Sequence, residues 1–235
     1  MIEEIGKGTI GGLKMLSIRE HRYPFLVKVG NWNRFARNTG GTMVEKCCHF
    51  FDLMRLITGG EAVRVYASGS QAVNHLDERY DGETPDIVDN AFVTIDFDNG
   101  MRAMLDLCMF AEATDDQEVI TAVGDRGKVE CGVPSSVVTI GRRRLDDPEW
   151  SRTGFHPGHG GKQKLERIPI PVDARVLAAG NHFGSTFYQH KRFFEIIKSG
   201  EKPEVTLEDG LKAVAIGEAA ERSIRTGMPV ELADR

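Results

Sequence analysis

A series of strand-like segments fills the middle of this 235-residue chain and constrains its fold more than any other feature. The segments are rich in Val, Ile, Thr and Phe, which favour half-buried strands. They cover residues 61–70, 90–97, 101–110, 117–123, 127–132 and 137–140. Asn99-Gly100 is a two-residue hairpin signal, and 124–127 marks another tight reversal. Because hairpins join antiparallel neighbours, the sequence predicts an open, largely antiparallel sheet, to which the alternating run 13–18 adds a strand.

Predicted helices flank these strands at 44–58, 182–199 and 207–226. The second has apolar residues at helical spacing, namely Phe183, Phe187, Phe194 and Ile197. The third begins with Thr206 and Asp209 placed as a capping box. Strands followed by helices indicate an α+β domain whose helices cover one face of the sheet, which leaves the other face to be covered by something else.

Composition limits the function classes. With 40% hydrophobic residues the chain can bury a substantial core, and a net charge of -5 argues against nucleic acid or an anionic membrane as partner. The apolar runs are far shorter than a membrane span, and the chain does not start like a secretory signal, so we expect a cytoplasmic protein. The cysteines have no C-x-x-C spacing and do not indicate a zinc site.

Glu45, His49 and Asp52 are three ionisable residues inside the otherwise apolar predicted helix 44–58. At about 100° per residue, one continuous helix places all three on a single stripe. The apolar residues around them are Val44, Cys47, Cys48, Phe51 and Met54. Because these residues drive the helix into a core, we expect the polar stripe to face a cavity, an arrangement suited to proton transfer.

A histidine on an apolar helix is ordinarily a hydrogen-bonded core residue. Here an acid one turn away is expected to raise the pKa of His49 and to hold its ring, as a general base requires. We therefore expect His49 to line a cleft with Glu45 in hydrogen-bonding reach, directly or through one water. Asp52 is expected to pair with an arginine or a helix terminus, and three ligands along one helix do not converge on a metal ion.

Candidate substrate-binding residues precede this helix. Asn31, Trp32, Asn33 and Arg34 combine hydroxyl-recognising groups with a flat aromatic face, which suits a polyol or sugar, although surface packing is the ordinary alternative. His182 and Tyr188, near the start of a later helix, are weaker candidates. A long loop over 142–164 is either a solvated connector or a substrate or partner contact.

Residues 6–11 spell the dinucleotide-binding G-x-G-x-x-G motif. That motif binds a pyrophosphate only when a strand precedes it and a helix follows it. Here a strand-like run follows, so we interpret the glycines as a helix-to-strand connection and expect this chain alone to bind no cofactor.

The pair Gly40-Gly41 followed by Glu45, His49 and Asp52 resembles the catalytic helix of the Gfo/Idh/MocA family of NAD(P)-dependent sugar and cyclitol dehydrogenases. The resemblance extends from residues 8–11 through 89–93 and 99–100 to 227–230. It covers the second half of that family and implies that residues 1–235 form its C-terminal α+β domain. By that resemblance, residues 1–12 are the tail of a helix from an upstream Rossmann domain that this chain lacks. The family usually has Asp where this sequence has Glu45.

The resemblance implies reversible hydride transfer from a secondary alcohol carbon to NAD or NADP, with His49 or its neighbour Glu45 taking the hydroxyl proton. The cofactor site and a catalytic lysine come from the Rossmann domain, in cis or in trans, so the isolated chain is expected to be inactive. A stand-alone binding or oligomerisation module that keeps the sheet without the reaction is the alternative.

We also expect a homodimer or tetramer. Its main contact is predicted to be the sheet face that the helices leave bare, with apolar groups such as Phe92, Met104 or Leu105 on one side or the other.

Overall fold

The computed structural model describes residues 1–143, 165–180 and 182–232. Most of the predicted loop 142–164, from residue 144 onwards, therefore lies outside the described residues. Within them, nine strands form one sheet. The strands are β1 Leu13–His21, β2 Ala62–Ser70, β3 Asn90–Phe97, β4 Arg102–Cys108, β5 Glu118–Gly124, β6 Gly127–Val133, β7 Val137–Arg142, β8 Leu165–Pro169 and β9 Val230–Glu231.

The strand order is β8-β7-β6-β5-β1-β4-β3-β2-β9. At the centre β1 runs parallel to β4, with Ile18 beside Leu105, and the other neighbours are antiparallel. The predicted open, largely antiparallel sheet is confirmed. Strands β8 and β9 at its two edges were not predicted, since five and two residues are too short for a clear alternation.

The helices are α1 Ile2–Gly6, α2 Ala36–Thr39, α3 Thr42–Glu45, α4 Cys48–Thr58, α5 Ala174–Ala178, α6 Ser185–Ser199 and α7 Leu207–Thr226, with 3-10 turns at Val29–Arg34 and His182–Gly184. The bounds of α7 match the prediction, and Thr206 and Asp209 form the predicted capping box. None of the described helices has the length and apolarity needed to cross a membrane.

The continuous helix predicted over 44–58 is wrong, because α3 ends at Glu45 and α4 begins at Cys48. The N–H of Lys46 still bonds to Thr42 O, whereas those of Phe50 and Phe51 bond to Cys47 O, where a new helix starts. The break coincides with Lys46, whose ammonium pairs with the buried carboxylate of Glu20. The single stripe expected from Glu45 to Asp52 therefore does not exist as one helix face.

The core lies between one face of the sheet and the helices α3, α4 and α7. Its fully buried large side chains include Ile18, Met43, Phe51, Met54, Ile95, Leu105 and Ile216. Each such side chain contributes roughly 1.5–3 kcal/mol through removal from water. The alternation of buried and exposed residues in β3 and β4 fixes which face the helices cover.

Helix α6 does not cover the sheet, contrary to the prediction for 182–199. It buries none of its residues, and its apolar side chains Phe187, Phe193, Phe194 and Ile197 are exposed. The helical spacing predicted the helix correctly, but the described part of the chain provides no partner for its aromatic stripe.

The opposite face of the sheet carries exposed apolar side chains, as predicted. Phe92 is 60% exposed and Met104 39%, whereas Leu105 is fully buried under the helices. Across the register, Phe92 lies beside Ser68 and Asp106, so this face alternates apolar and polar groups.

Candidate functional site

The glycine pair before α3 has a physical role. Gly40 and Gly41 have φ of +82° and +91°, a region that disfavours side chains. The carboxylate of Glu221 in α7 accepts a hydrogen bond from Met43 N at 3.0 Å, at the start of α3. A Cβ on Gly41 would lie 2.2 Å from Glu221 Oε1, so glycine leaves the room that this carboxylate needs. The contact fixes α3, and hence the start of α4, on α7.

His49 lies in the first turn of α4 and is exposed to solvent. One side of its ring packs on Phe50, with the ring centroids 4.2 Å apart. The pKa of His49 is lowered to about 4, because surrounding protein atoms displace water and because Lys46, Arg22 and His182 place positive charge nearby. Because this pKa lies below the ordinary value of 6.5, His49 is neutral at pH 7.

The expectation that Glu45 raises the pKa of His49 is wrong. The Glu45 carboxylate pairs with the ammonium of Lys28. Among the described residues, Glu45 makes no direct hydrogen bond to His49. The second oxygen, Glu45 Oε2, is buried without a hydrogen-bond partner. Contact between Glu45 and His49 through a water, and a cleft around His49, remain predictions. A cavity of about 950 Å³ along α7 and β9 does not include His49 in its lining.

A buried charge cluster beside His49 was missed by the sequence analysis. Glu20, at the end of β1, is completely buried, and its Oε1 accepts from Lys46 Nζ at 2.9 Å and from Arg22 Nη1 at 3.4 Å. Burial raises the pKa of Glu20, whereas the nearby charges of Lys46 and Arg22 oppose that rise. Its other oxygen, Oε2, is buried and has no hydrogen-bond partner.

One signal in the sequence could have found Glu20. Residues of a strand alternate between faces, so Leu16, Ile18 and Glu20 share the face that packs under the helices. A carboxylate on a core-facing position needs a cationic partner, because burying an unpaired charge is very costly. That partner is Lys46, although the sequence alone does not say which cation reaches it.

Asp52 behaves as predicted. It pairs with Arg55 at 3.0 Å, one turn further along α4. Arg55 also bonds to Glu61 and Asp209, and these contacts tie α4 to α7 and to the start of β2. Asp52 therefore belongs to a structural network.

Asn33 and Arg34 are buried rather than open to a ligand. Asn33 Nδ2 donates to Leu26 O at 3.1 Å, and Arg34 Nε donates to Glu78 Oε2 at 2.8 Å. Glu78 also accepts from Tyr80. These bonds hold the segment before α2 in place, and the role of Asn33 and Arg34 in substrate contact stays a prediction.

Asn31 and Trp32 are placed differently. Trp32 is 41% exposed, and the ammonium of Lys28 lies 5.1 Å from its ring centroid while pairing with Glu45. Asn31 is partly exposed in the left-handed conformation, with φ +53°. Lys28 thus joins an accessible aromatic face to the Glu45 carboxylate.

His182 and Tyr188 also have different positions. His182 lies near enough for its charge to act on His49, and its Nδ1 is 3.3 Å from Thr186 Oγ1. Tyr188 is exposed on α6, where its ring packs edge-on against Phe187. The structure brings His182 towards His49 and gives Tyr188 no described contact with that group.

The glycine motif at 6–11 does not fit a nucleotide. Helix α1 precedes it and β1 follows it, which is the reverse of the order that a pyrophosphate loop needs. The N–H of Gly12 donates to Asp125 Oδ1 at 3.0 Å, so a carboxylate already lies where a phosphate would have to approach. In the described ranges, no three His, Cys, Asp or Glu residues gather as a metal site.

An open mixed sheet covered on one face by helices defines an α+β domain, and the exposed imidazole of His49 lies where α3 gives way to α4. The chain belongs to the Gfo/Idh/MocA oxidoreductase family: the model of its C-terminal alpha/beta domain matches residues 2–232.

Relatives of known sequence agree with this assignment. The myo-inositol 2-dehydrogenase of Thermotoga maritima is 28% identical over 98% of this chain and 59% of its own length. The uncharacterized oxidoreductase YrbE of Bacillus subtilis is 29% identical over 84% of this chain and 50% of its own length. The chain thus spans about half the length of the relatives it matches.

Solved structures share the fold. Levoglucosan dehydrogenase in complex with NADH and levoglucosan aligns over 99% of this chain and 62% of its own, with a TM-score of 0.74 at 17% identity. An oxidoreductase domain protein from Kribbella flavida aligns over the same shares with a TM-score of 0.75, also at 17% identity. At such identities the likeness concerns the fold alone.

Proposed function

We propose that this chain is the substrate-binding and catalytic half of an NAD(P)-dependent dehydrogenase that oxidises a secondary alcohol of a sugar, cyclitol or related polyol. A cofactor-binding domain in cis or in trans completes the enzyme. The observation that carries this proposal is the accessible, neutral imidazole of His49 at the helix junction of a chain that belongs to this oxidoreductase family.

The chemistry of this half follows from the protonation state of His49. A neutral imidazole can accept the hydroxyl proton of an alcohol as that carbon is oxidised, whereas an imidazolium cannot. Trp32 offers its exposed face to a sugar ring, and Lys28 with Glu45 supplies a donor and an acceptor for hydroxyl groups.

The hydride acceptor belongs to the nicotinamide of the bound cofactor. The loop at 6–11 does not fit a nucleotide, so in this proposal the present half supplies substrate binding and proton transfer. The aromatic stripe of α6 and the exposed apolar side chains of Leu26, Val27 and Val29 support a contact with a further domain or subunit.

The first part of the proposal, that this chain binds the polyol substrate, is tested by a binding experiment on the chain itself. Imidazole resonances of the isotope-labelled protein would be followed while inositols, aldoses and linear polyols are added at millimolar concentration. We expect a member of this set to shift His49 and His182, with His75 as an internal control because it is held by Glu78 on another loop. If the chain is instead a stand-alone module that keeps the sheet without the reaction, the imidazole resonances of His49 should not shift.

Turnover tests the second part. The protein would be purified from its native host through an affinity tag on the encoded polypeptide, so that a cofactor-binding partner in cis or in trans is retained. We expect NADH or NADPH formation with a polyol, and a loss of about 10²–10⁴-fold in His49→Asn, the usual contribution of a general base. Unchanged turnover in His49→Asn would refute the role of His49.

A further inference from the structure

The helix break at Lys46 brings a second charged group to His49. Lys46 is three residues before His49, and its side chain is only 15% exposed. Its ammonium lies 5.3 Å from the ring centroid of Phe50, the same ring against which His49 packs. Lys46, Phe50 and His49 therefore form one cluster at the start of α4.

The buried carboxylate of Glu20 forms an ion pair with this ammonium. The 2.9 Å contact from Lys46 and the 3.4 Å contact from Arg22 converge on one oxygen, Glu20 Oε1. Gln117 Nε2 reaches the same atom at 3.5 Å. Thus a single buried carboxylate pairs with both Lys46 and Arg22, the two cations that act most strongly on His49.

A contribution to stability does not by itself explain why the Glu20–Lys46 ion pair is buried here. A buried ion pair commonly stabilises a protein no more than apolar residues of similar size, and here Glu20 Oε2 is left without any partner. A carboxylate buried at such a cost beside an accessible histidine indicates a role in tuning that histidine.

We infer that Lys46, anchored by Glu20, is a positioning residue that keeps His49 in its neutral, proton-accepting form. Lys46 acts through its charge and does not itself take the substrate proton. The inference rests on the proposed function only because that function makes His49 the base whose protonation state matters.

The charged groups around His49 allow the contribution of Lys46 to be separated. Those acting on His49 are Lys46 at the helix break, Arg22 after β1 and His182 before α6. Glu45, on α3, is neutralised by Lys28. Replacing Lys46 therefore removes the strongest nearby charge and leaves the other groups in place.

The test is a titration of the His49 imidazole by NMR in the whole chain. The principal variant is Lys46→Met, which removes the ammonium; Glu20, whose pKa is already raised by burial, can take up a proton when this partner is lost. We expect the His49 midpoint, well below 6.5 in the wild type, to rise by about one pH unit, the effect of one nearby charge. Lys46→Arg, which keeps the charge, should retain a low midpoint.

A matched control removes an ion pair elsewhere. Lys128 and Glu130 pair at 3.0 Å on β6, so Lys128→Met should leave the His49 midpoint unchanged. An unchanged midpoint in Lys46→Met, with its thermal unfolding still cooperative, would overturn the inference. The titration needs no substrate, so its failure is distinct from a failure to find turnover.

Discussion

Gly217 of α7 lies so close to Met43 of α3 that a Cβ on Gly217 would stand 2.7 Å from the Met43 carbonyl oxygen. The obstacle is backbone, which cannot rotate away as a side-chain end can. Together with the hydrogen bond from Met43 N to Glu221, this contact sets the distance between α7 and the short helix that leads to His49.

Gly217→Ala should therefore destabilise the protein despite the better helix propensity of alanine. Propensity favours alanine by about 0.5–1 kcal/mol, and overpacking against Met43 costs about 1–3 kcal/mol. Gly210→Ala, in the same helix with nothing within 4 Å of the new Cβ, is the matched control and should stabilise. Urea unfolding of both variants measures the difference. Equal effects would mean that α3 and α7 are not closely packed.

Glu221 gives a pH dependence with a definite sign. Its pKa is raised above 4.5, chiefly by burial, so the folded protein binds a proton more tightly than the unfolded chain. The stabilising contribution of this group is present below about pH 4.5 and is lost as pH rises through the folded pKa.

Glu221→Gln lacks this titration. Compared with the wild type, the variant should gain stability as pH rises from about 4.5 to about 7, as measured by urea unfolding at each pH. A relative gain by the wild type over the same range would show that the ionised carboxylate is the favoured form at the start of α3.

Local signals explain which parts of the fold could be predicted. The bounds of α7 follow from a capping box and a C-terminal glycine, and β3 follows from alternation and an Asn-Gly turn, all within a few residues. The break at Lys46 was not predictable in this way, because its partner Glu20 is 26 positions earlier on another element.

The candidate site shows the same division. His49 and the Asp52–Arg55 pair could be inferred from spacing along one helix. The pairing of Glu45 with Lys28 depends on how a distant loop folds back. Periodicity likewise predicted α6 as a helix, but it carries no information on what that helix packs against.

The isolated chain should not bind NAD(H) or NADP(H). The loop at 6–11 has the wrong neighbours, and Asp125 accepts the hydrogen bond from Gly12 that a phosphate would require. Titration calorimetry should give no binding heat, with the Bacillus subtilis scyllo-inositol 2-dehydrogenase (NAD(+)) as positive control. A micromolar dissociation constant for either cofactor would show that this loop has been misinterpreted.

The bare face of the sheet should mediate self-association. Phe92 and Met104 are exposed there, together with Tyr66 and Met15, and a two-fold contact would bury the same patch from both copies. A stable contact of this kind buries about 1,200–2,000 Å² in total, which a nine-stranded sheet can provide. We expect sedimentation at micromolar concentration to give a dimer or tetramer of the 26.0 kDa chain.

Charged replacements distinguish this face from the helix side. Phe92→Asp or Met104→Lys should weaken association by at least about tenfold, because each buries a charge in the proposed contact at a cost above 1.4 kcal/mol. Leu56→Lys is the matched control: Leu56 is 66% exposed, but it lies on α4, on the opposite side of the sheet. If Leu56→Lys dissociates the assembly while Phe92→Asp does not, the contact is on the helix side. A wild-type protein that sediments only as a monomer would exclude self-association through either face at that concentration.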